Sequence, residues 1–112
     1  MGRGLKIVED VAGEGTAVQP GDLATFDLQI SLNSGEVVHP RQRTTIRVGD
    51  RQVFPGLSKS ILGMRRGGYR KTRVSPHLAY GIKGVTGKIP ANAVLICDVW
   101  LRETHSFNGM PS

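Results

Sequence analysis

Ala24-Thr25-Phe26-Asp27-Leu28-Gln29-Ile30-Ser31-Leu32 alternates almost without a break, with Ala, Phe, Leu, Ile and Leu on one side of the chain and Thr, Asp, Gln and Ser on the other. A period of two belongs to a strand, whose successive side chains leave on opposite faces, so the segment predicts a strand with one dry face and one wet one. Downstream, Asn33-Ser34-Gly35 is a turn signal and Val37-Val38 resumes an extended course. That course is predicted to stop at His39-Pro40, because Pro40 has no N–H to give to a ladder. Thr44 to Val48 is a second alternating run, turned by Gly49-Asp50. Upstream, Leu5 to Val11 makes a first strand, and Gly13, Gly15, Pro20 and Gly21 mark loops around Thr16 to Gln19.

The period then changes. Leu57, Ile61, Leu62 and Met64 fall on one face of a short helix, opened by Pro55-Gly56 and closed by Arg65-Arg66-Gly67-Gly68, where cations suit the last carbonyls and glycine the exit. Thr72 and Val74 oppose Lys71 and Arg73 on the next strand. A long loop over 75–92 leads to a last strand from Ala93 to Leu101. The sum is an α+β domain, a mostly antiparallel sheet of about five strands whose apolar face closes over one helix inserted before the fourth. The last strand is apolar on both sides: Leu95, Cys97, Val99 and Leu101 form one face, Val94, Ile96 and Trp100 the other. That pattern predicts a strand covered on both faces, with Trp100 on an outer patch for a partner as the alternative.

At 112 residues with 15 glycines and 6 prolines, the chain has room for one turn-rich domain with one core. Its extent is read as 1–104, with 105–112 as a disordered tail. No apolar run approaches the length of a membrane span, and the first residues lack the apolar stretch of a signal peptide, which makes the cytoplasm the expected location. One cysteine, Cys97, and three scattered histidines, His39, His77 and His105, give neither a disulfide nor a metal-ligand spacing. The net charge of +6 is unevenly placed. Residues 1–36 hold two basic and six acidic side chains, whereas 41–88 hold twelve basic ones and only Asp50. Such a block suits solvated strand faces first and an acidic protein face second. Nucleic acid ranks last, because Tyr69 is the only ring among the cations and a single-strand platform needs more.

Val74-Ser75-Pro76-His77-Leu78-Ala79-Tyr80-Gly81 puts a tyrosine inside a loop bracketed by proline and glycine. Either its ring plugs the core from the loop or its hydroxyl faces a ligand. Taken in order with Val53-Phe54-Pro55-Gly56-Leu57, Leu62-Gly63-Met64-Arg65-Arg66-Gly67, Ile89-Pro90-Ala91-Asn92-Ala93 and Asp98-Val99-Trp100-Leu101, this loop resembles the FKBP-type peptidyl-prolyl cis-trans isomerases. The likeness is dense from Val53 to Leu101 and looser from Leu5 to Val48. It implies a bent antiparallel half-barrel around a short helix, and an enzyme that acts on X-Pro bonds of proline-containing polypeptides without a cofactor. It further implies that the Tyr80 hydroxyl and the Phe54 backbone N–H hold substrate carbonyls and that Leu57 is the cleft floor. Leu28, Val38, His39, Thr44, Val53, Val85, Ile89 and Cys97 would line the walls.

Against the family pattern, the floor is leucine where tryptophan is usual, and Leu28, Val38, Thr44 and Cys97 stand for aromatic walls. His39 stands for an acidic residue, and the segment between Val38 and Thr44 is shorter. The cleft is therefore expected to be wider, with weak turnover and weak macrolide binding, since each lost aromatic forfeits contact area. The alternative is a non-catalytic module of the same fold that binds an acidic protein through the basic block. Oligomeric state is not legible.

Overall fold

The chain is described by a computed structural model over residues 4–81 and 83–106. Five strands and one α-helix follow the order β1 (Leu5–Val11), β2 (Leu23–Leu32), β3 (Val37–Arg47), α1 (Pro55–Ile61), β4 (Tyr69–Val74) and β5 (Leu95–His105). The strands form one sheet in the order β1-β4-β5-β2-β3, with every neighbouring pair antiparallel. Leaving β3 at one edge, the chain must cross the sheet to reach β4 near the other. It makes that crossing with α1, which packs against β1, β4 and β5 and so covers one face only.

The alternation of 24–32 is realised as read. Ala24, Phe26, Leu28 and Ile30 of β2 are buried, and with Val74, Leu95, Cys97, Val99 and Leu101 they close over Leu57, Ile61 and Met64. Helix and sheet touch so closely at Gly56 that a Cβ there would stand 2.3 Å from Val74 Cγ1, which is why the helix can begin Pro-Gly but not Pro-Ala.

Four boundaries differ from the sequence reading. First, β3 does not stop at His39-Pro40: it runs on to Arg47 as one strand. Because β3 is an edge strand, Pro40 withholds an N–H the ladder does not need. The register slips there, His39 pairing with Ile30 and Gln42 with Leu28, so a bulge absorbs the ring. Second, α1 ends at Ile61, short of Met64, with Gly63 at φ +82°. The cation at its end is Arg70 of β4, whose Nη1 donates to the Ser60 and Leu62 carbonyls at 2.9 and 2.8 Å. Arg65 and Arg66 are exposed instead. Third, β5 continues to His105, which pairs with Leu23, so the boundary at 104/105 falls inside a strand; 107–112 of the expected tail lie outside the described residues. Fourth, among the described residues no second layer covers the outer face of β5. Trp100 is half-buried there by side chains, Arg41 over its ring at 3.8 Å and Tyr69 at 5.2 Å between centroids.

Candidate active site

The site is built from the start of α1, the inner face of β2 and β5, and the loop between β4 and β5. The loop owes its shape to its own hydrogen bonds. After the 3-10 turn Pro76–Leu78, the N–H groups of Ala79 and Gly81 both donate to the Pro76 carbonyl, at 2.9 and 2.8 Å. The Asn92 N–H then reaches back to the Gly81 carbonyl at 2.9 Å, and Val85 and Ile89 exchange backbone bonds of 2.7 and 2.8 Å. Gly84 lies under this bridge at φ +63°, where a Cβ would stand 2.2 Å from the Ile89 carbonyl oxygen. Tyr80 is thus carried on a closed frame, and its direction is set before any ligand arrives.

Of the two alternatives for Tyr80, the core plug is excluded, since the residue remains 39% exposed. Its ring leans on Phe54, centroids 5.2 Å apart and planes at 50°. Its hydroxyl has no hydrogen-bond partner among the described residues. Partial burial, and next the Cys97 side chain, raise its pKa above the ordinary phenol value, so it is a proton donor throughout the neutral range.

Phe54 caps α1 without a side-chain bond: its carbonyl accepts the Leu57 N–H at 3.0 Å, its backbone is extended (φ −62°, ψ 141°), and its own N–H has no backbone partner among the described residues. Leu57 is buried, in one core cluster with Leu28 and Cys97, and Val38, Val53, Phe54 and Ile89 pack half-buried around it. Thr44 is half-buried on β3, facing Phe26 across the ladder. Among the expected wall residues, Val85 is not packed on this cluster; it belongs to the loop frame through Ile89. Half-buried His39 has its Nδ1 fully shielded and without a partner among the described residues. Cys97 is wholly buried, and desolvation, then Asp98, pushes its thiol up to about 12 against a hydrogen bond from Thr72. It is a neutral wall atom, not a nucleophile.

Two supports of the site were missed by sequence reading. Ser60 Oγ lies 2.6 Å from the Gly56 carbonyl, to which it donates, and 2.7 Å from Thr72 Oγ1, pinning α1 to β4 behind the floor. Arg70, counted with the solvated cations, has a side chain only 10% exposed and is paired with Asp10 at 3.2 Å. The available signal was position: Ser60 is one turn beyond Gly56, and Arg70 shares the inward parity of Thr72 and Val74. A separate hollow of about 490 Å³ opens on the far side of the helix start between Val48, Val53, Pro55 and Leu62. It shares Val53 with the expected cleft but neither Tyr80 nor Cys97.

An open antiparallel sheet folded over one short helix, with a loop tyrosine leaning on the residue that caps that helix, matches a known family. The family model described as FKBP-type peptidyl-prolyl cis-trans isomerase matches residues 14–102. FK506-binding protein 1A of Neurospora crassa is 37% identical over 103 residues, spanning 88% of this chain and 86% of that protein. FK506-binding protein 4 of Chaetomium thermophilum is 35% identical over 109 residues, 89% of this chain but 22% of that one. Among solved structures, FkpA from Escherichia coli superposes with a TM-score of 0.76 at 28% identity, covering 89% of this chain and 46% of that one. The chain belongs to the FKBP-type peptidyl-prolyl cis-trans isomerase family. It spans about a fifth of the length of the FK506-binding protein 4 relatives it matches. Among the described residues no helix is long and apolar enough to cross a membrane, and no group of three or more His, Cys, Asp or Glu is placed to hold a metal.

Proposed function

We propose that the chain catalyses cis-trans isomerisation of X-Pro bonds in polypeptides, by desolvation and carbonyl anchoring, with no covalent step. Family membership supports the reaction class. The observation that carries the site is the Tyr80 phenol, protonated, without a hydrogen-bond partner among the described residues, and leaning on the Phe54 ring. Rotation about an amide costs about 18–20 kcal/mol, because resonance is lost on twisting. The planar amide has the greater charge separation and is favoured by water, so a dry floor of Leu57, Leu28 and Cys97 disfavours it relative to the twisted form. The Tyr80 hydroxyl and the Phe54 N–H hold the carbonyls on either side while the bond turns. Val38, Val53 and Ile89 supply apolar wall, and Val85 supports Ile89 through the loop frame.

The relatives are named for binding FK506. For this chain we propose weaker macrolide binding and modest turnover, because aliphatic Leu28, Val38, Leu57 and Cys97 give a proline ring less surface to rest on. A reducing compartment, the cytoplasm, and a part in protein folding there fit the free Cys97 thiol.

A protease-free isomerisation assay on short proline peptides tests the reading. The expected result is an acceleration over buffer that is proportional to protein and reduced in Tyr80→Phe. Rates equal to buffer at high protein concentration, with several residues tried before proline, would overturn it.

A further inference from the structure

The outer face of the sheet holds a cluster that the isomerase reading does not use. At its centre the Asp27 side chain, 10% exposed, accepts from Arg43 Nε at 2.9 Å, Arg102 Nη2 at 3.1 Å and Arg41 Nη2 at 3.2 Å. One carboxylate anchors three guanidinium groups, which leaves two positive charges in excess. The anchor is buried but the cations are not: Arg41, Arg43 and Arg102 keep 46, 59 and 48% of their side-chain surface. Each guanidinium has five N–H donors and spends one or two on Asp27, so most still face water. Arg41 is also pinned flat over Trp100 at 3.8 Å. Groups held in this way lose little side-chain freedom on meeting an anion.

Arg41 and Arg43 are two residues apart on β3, so they leave the same face about 7 Å from each other. Their guanidinium groups are drawn inward from the β3 edge, onto Asp27 of β2 and, for Arg41, over Trp100 of β5, while Pro40 and its bulge blunt the edge itself against strand addition. We propose that this outer face is a docking site for an extended acidic polypeptide segment laid across β3 and β2, with carboxylates at alternate positions meeting Arg41 and Arg43. The period-two spacing of the cations selects the same spacing of carboxylates, and planar guanidinium groups bind carboxylates two bonds at a time. A second copy of this chain is disfavoured as the occupant, because this face against itself would set arginine opposite arginine. Single-stranded nucleic acid is the poorer fit. Arg41 already lies on Trp100, and Tyr69 is turned onto Asp98 by a hydrogen bond of 2.5 Å, so no free ring awaits a base. The site lies on the opposite face from Leu28 and Cys97 and does not rest on the isomerase reading.

Trp100 is the only tryptophan, and its fluorescence reports occupancy beside Arg41. The whole chain is titrated with an alternating Glu-Thr octapeptide, with an octapeptide of the same composition whose glutamates form one block, and with an oligothymidylate of matched charge. The alternating peptide should give a saturable change and bind at least about tenfold tighter than the block peptide. Binding should fade at about 1 M salt, where the screening length is about 3 Å. Arg43→Gln should weaken it about tenfold and leave isomerase rates unchanged. Arg102→Gln, which leaves Asp27 two partners, serves where Arg43→Gln does not fold. Block peptide or oligonucleotide binding as tightly as the alternating peptide, or no response at all, would overturn the proposal.

Discussion

Asp27 and Leu28 are neighbours in sequence and stand on opposite faces of the same strand, as do Asp98 and Cys97. On the inner face Leu28 and Cys97 meet other apolar groups, and the charged Arg70 there is spent on Asp10 and the carbonyls at the end of α1. On the outer face Asp27 gathers three arginines, and Asp98 takes the Tyr69 hydroxyl with Lys71 4.0 Å away. The difference teaches that a five-stranded sheet with a single helix can separate two chemistries by parity alone. An apolar surface sits where α1 keeps water out, and charge is moved one residue along, where it costs little to solvate.

The comparison is broken hardest from within the core. Phe26 is fully buried beneath α1, and Phe26→Ala should cost about 3–5 kcal/mol. Denaturant unfolding measures the loss, and a cost under about 1 kcal/mol would mean that the inner face is not the stabilising one. Next comes the strut behind the floor. Arg70→Leu strips the Ser60 and Leu62 carbonyls of their donor and leaves Asp10 unpaired, so about 2–3 kcal/mol should be lost. Isomerase activity should fall as well, since the strut holds the end of α1; an unchanged rate would show that Leu57 is positioned by Ser60 and Thr72 alone.

On the outer face the expected effect is smaller and depends on pH. Hydrogen bonds from Arg43, and then those of Arg102 and Arg41, outweigh burial and hold Asp27 at about 2, below its ordinary 3.8. A depressed carboxylate contributes its stability above the unfolded value, and that contribution is lost as pH falls through the folded one. The loss should therefore run between about pH 4 and pH 2, with Trp100 fluorescence changing as Arg41 is released. Asp27→Asn should cost about 1 kcal/mol at neutral pH, because the arginines can turn to water, and should flatten that acid transition. Persistence of the transition in Asp27→Asn would assign it to another carboxylate.

Most of the fold was legible because β2 obeys its period strictly and glycine and proline mark the turns. Reading failed where neighbours outvote local rules. Pro40 looked like a strand end, but only position in the sheet shows that β3 is an edge, where a missing N–H is harmless. Arg70 looked solvated, since nothing local shows that a helix terminus will lie above it. Trp100 was the reverse case. Its ring is 59 positions from Arg41 in the chain yet under it in space, so the basic block seemed to lack an aromatic partner that the sheet supplies. For the candidate site, the motif residues of the loop and the helix start were suggested by resemblance. The orphaned Nδ1 of His39 and the Ser60–Thr72 clasp were not, because both depend on strand pairing.

The smallest expected change in stability is the sharpest test of the inner face. Removing the Tyr80 hydroxyl takes away no hydrogen bond made by a described residue, so Tyr80→Phe should leave unfolding within about 0.5 kcal/mol of the parent. If that hydroxyl grips a substrate carbonyl, the same variant should lose about two- to tenfold in kcat/KM, the worth of one hydrogen bond of about 0.5–1.5 kcal/mol. A ring that matters only by leaning on Phe54 predicts the opposite pairing, with activity kept in Tyr80→Phe and lost together with stability in Tyr80→Ala. The two outcomes separate a phenol that serves a ligand from one that serves the fold.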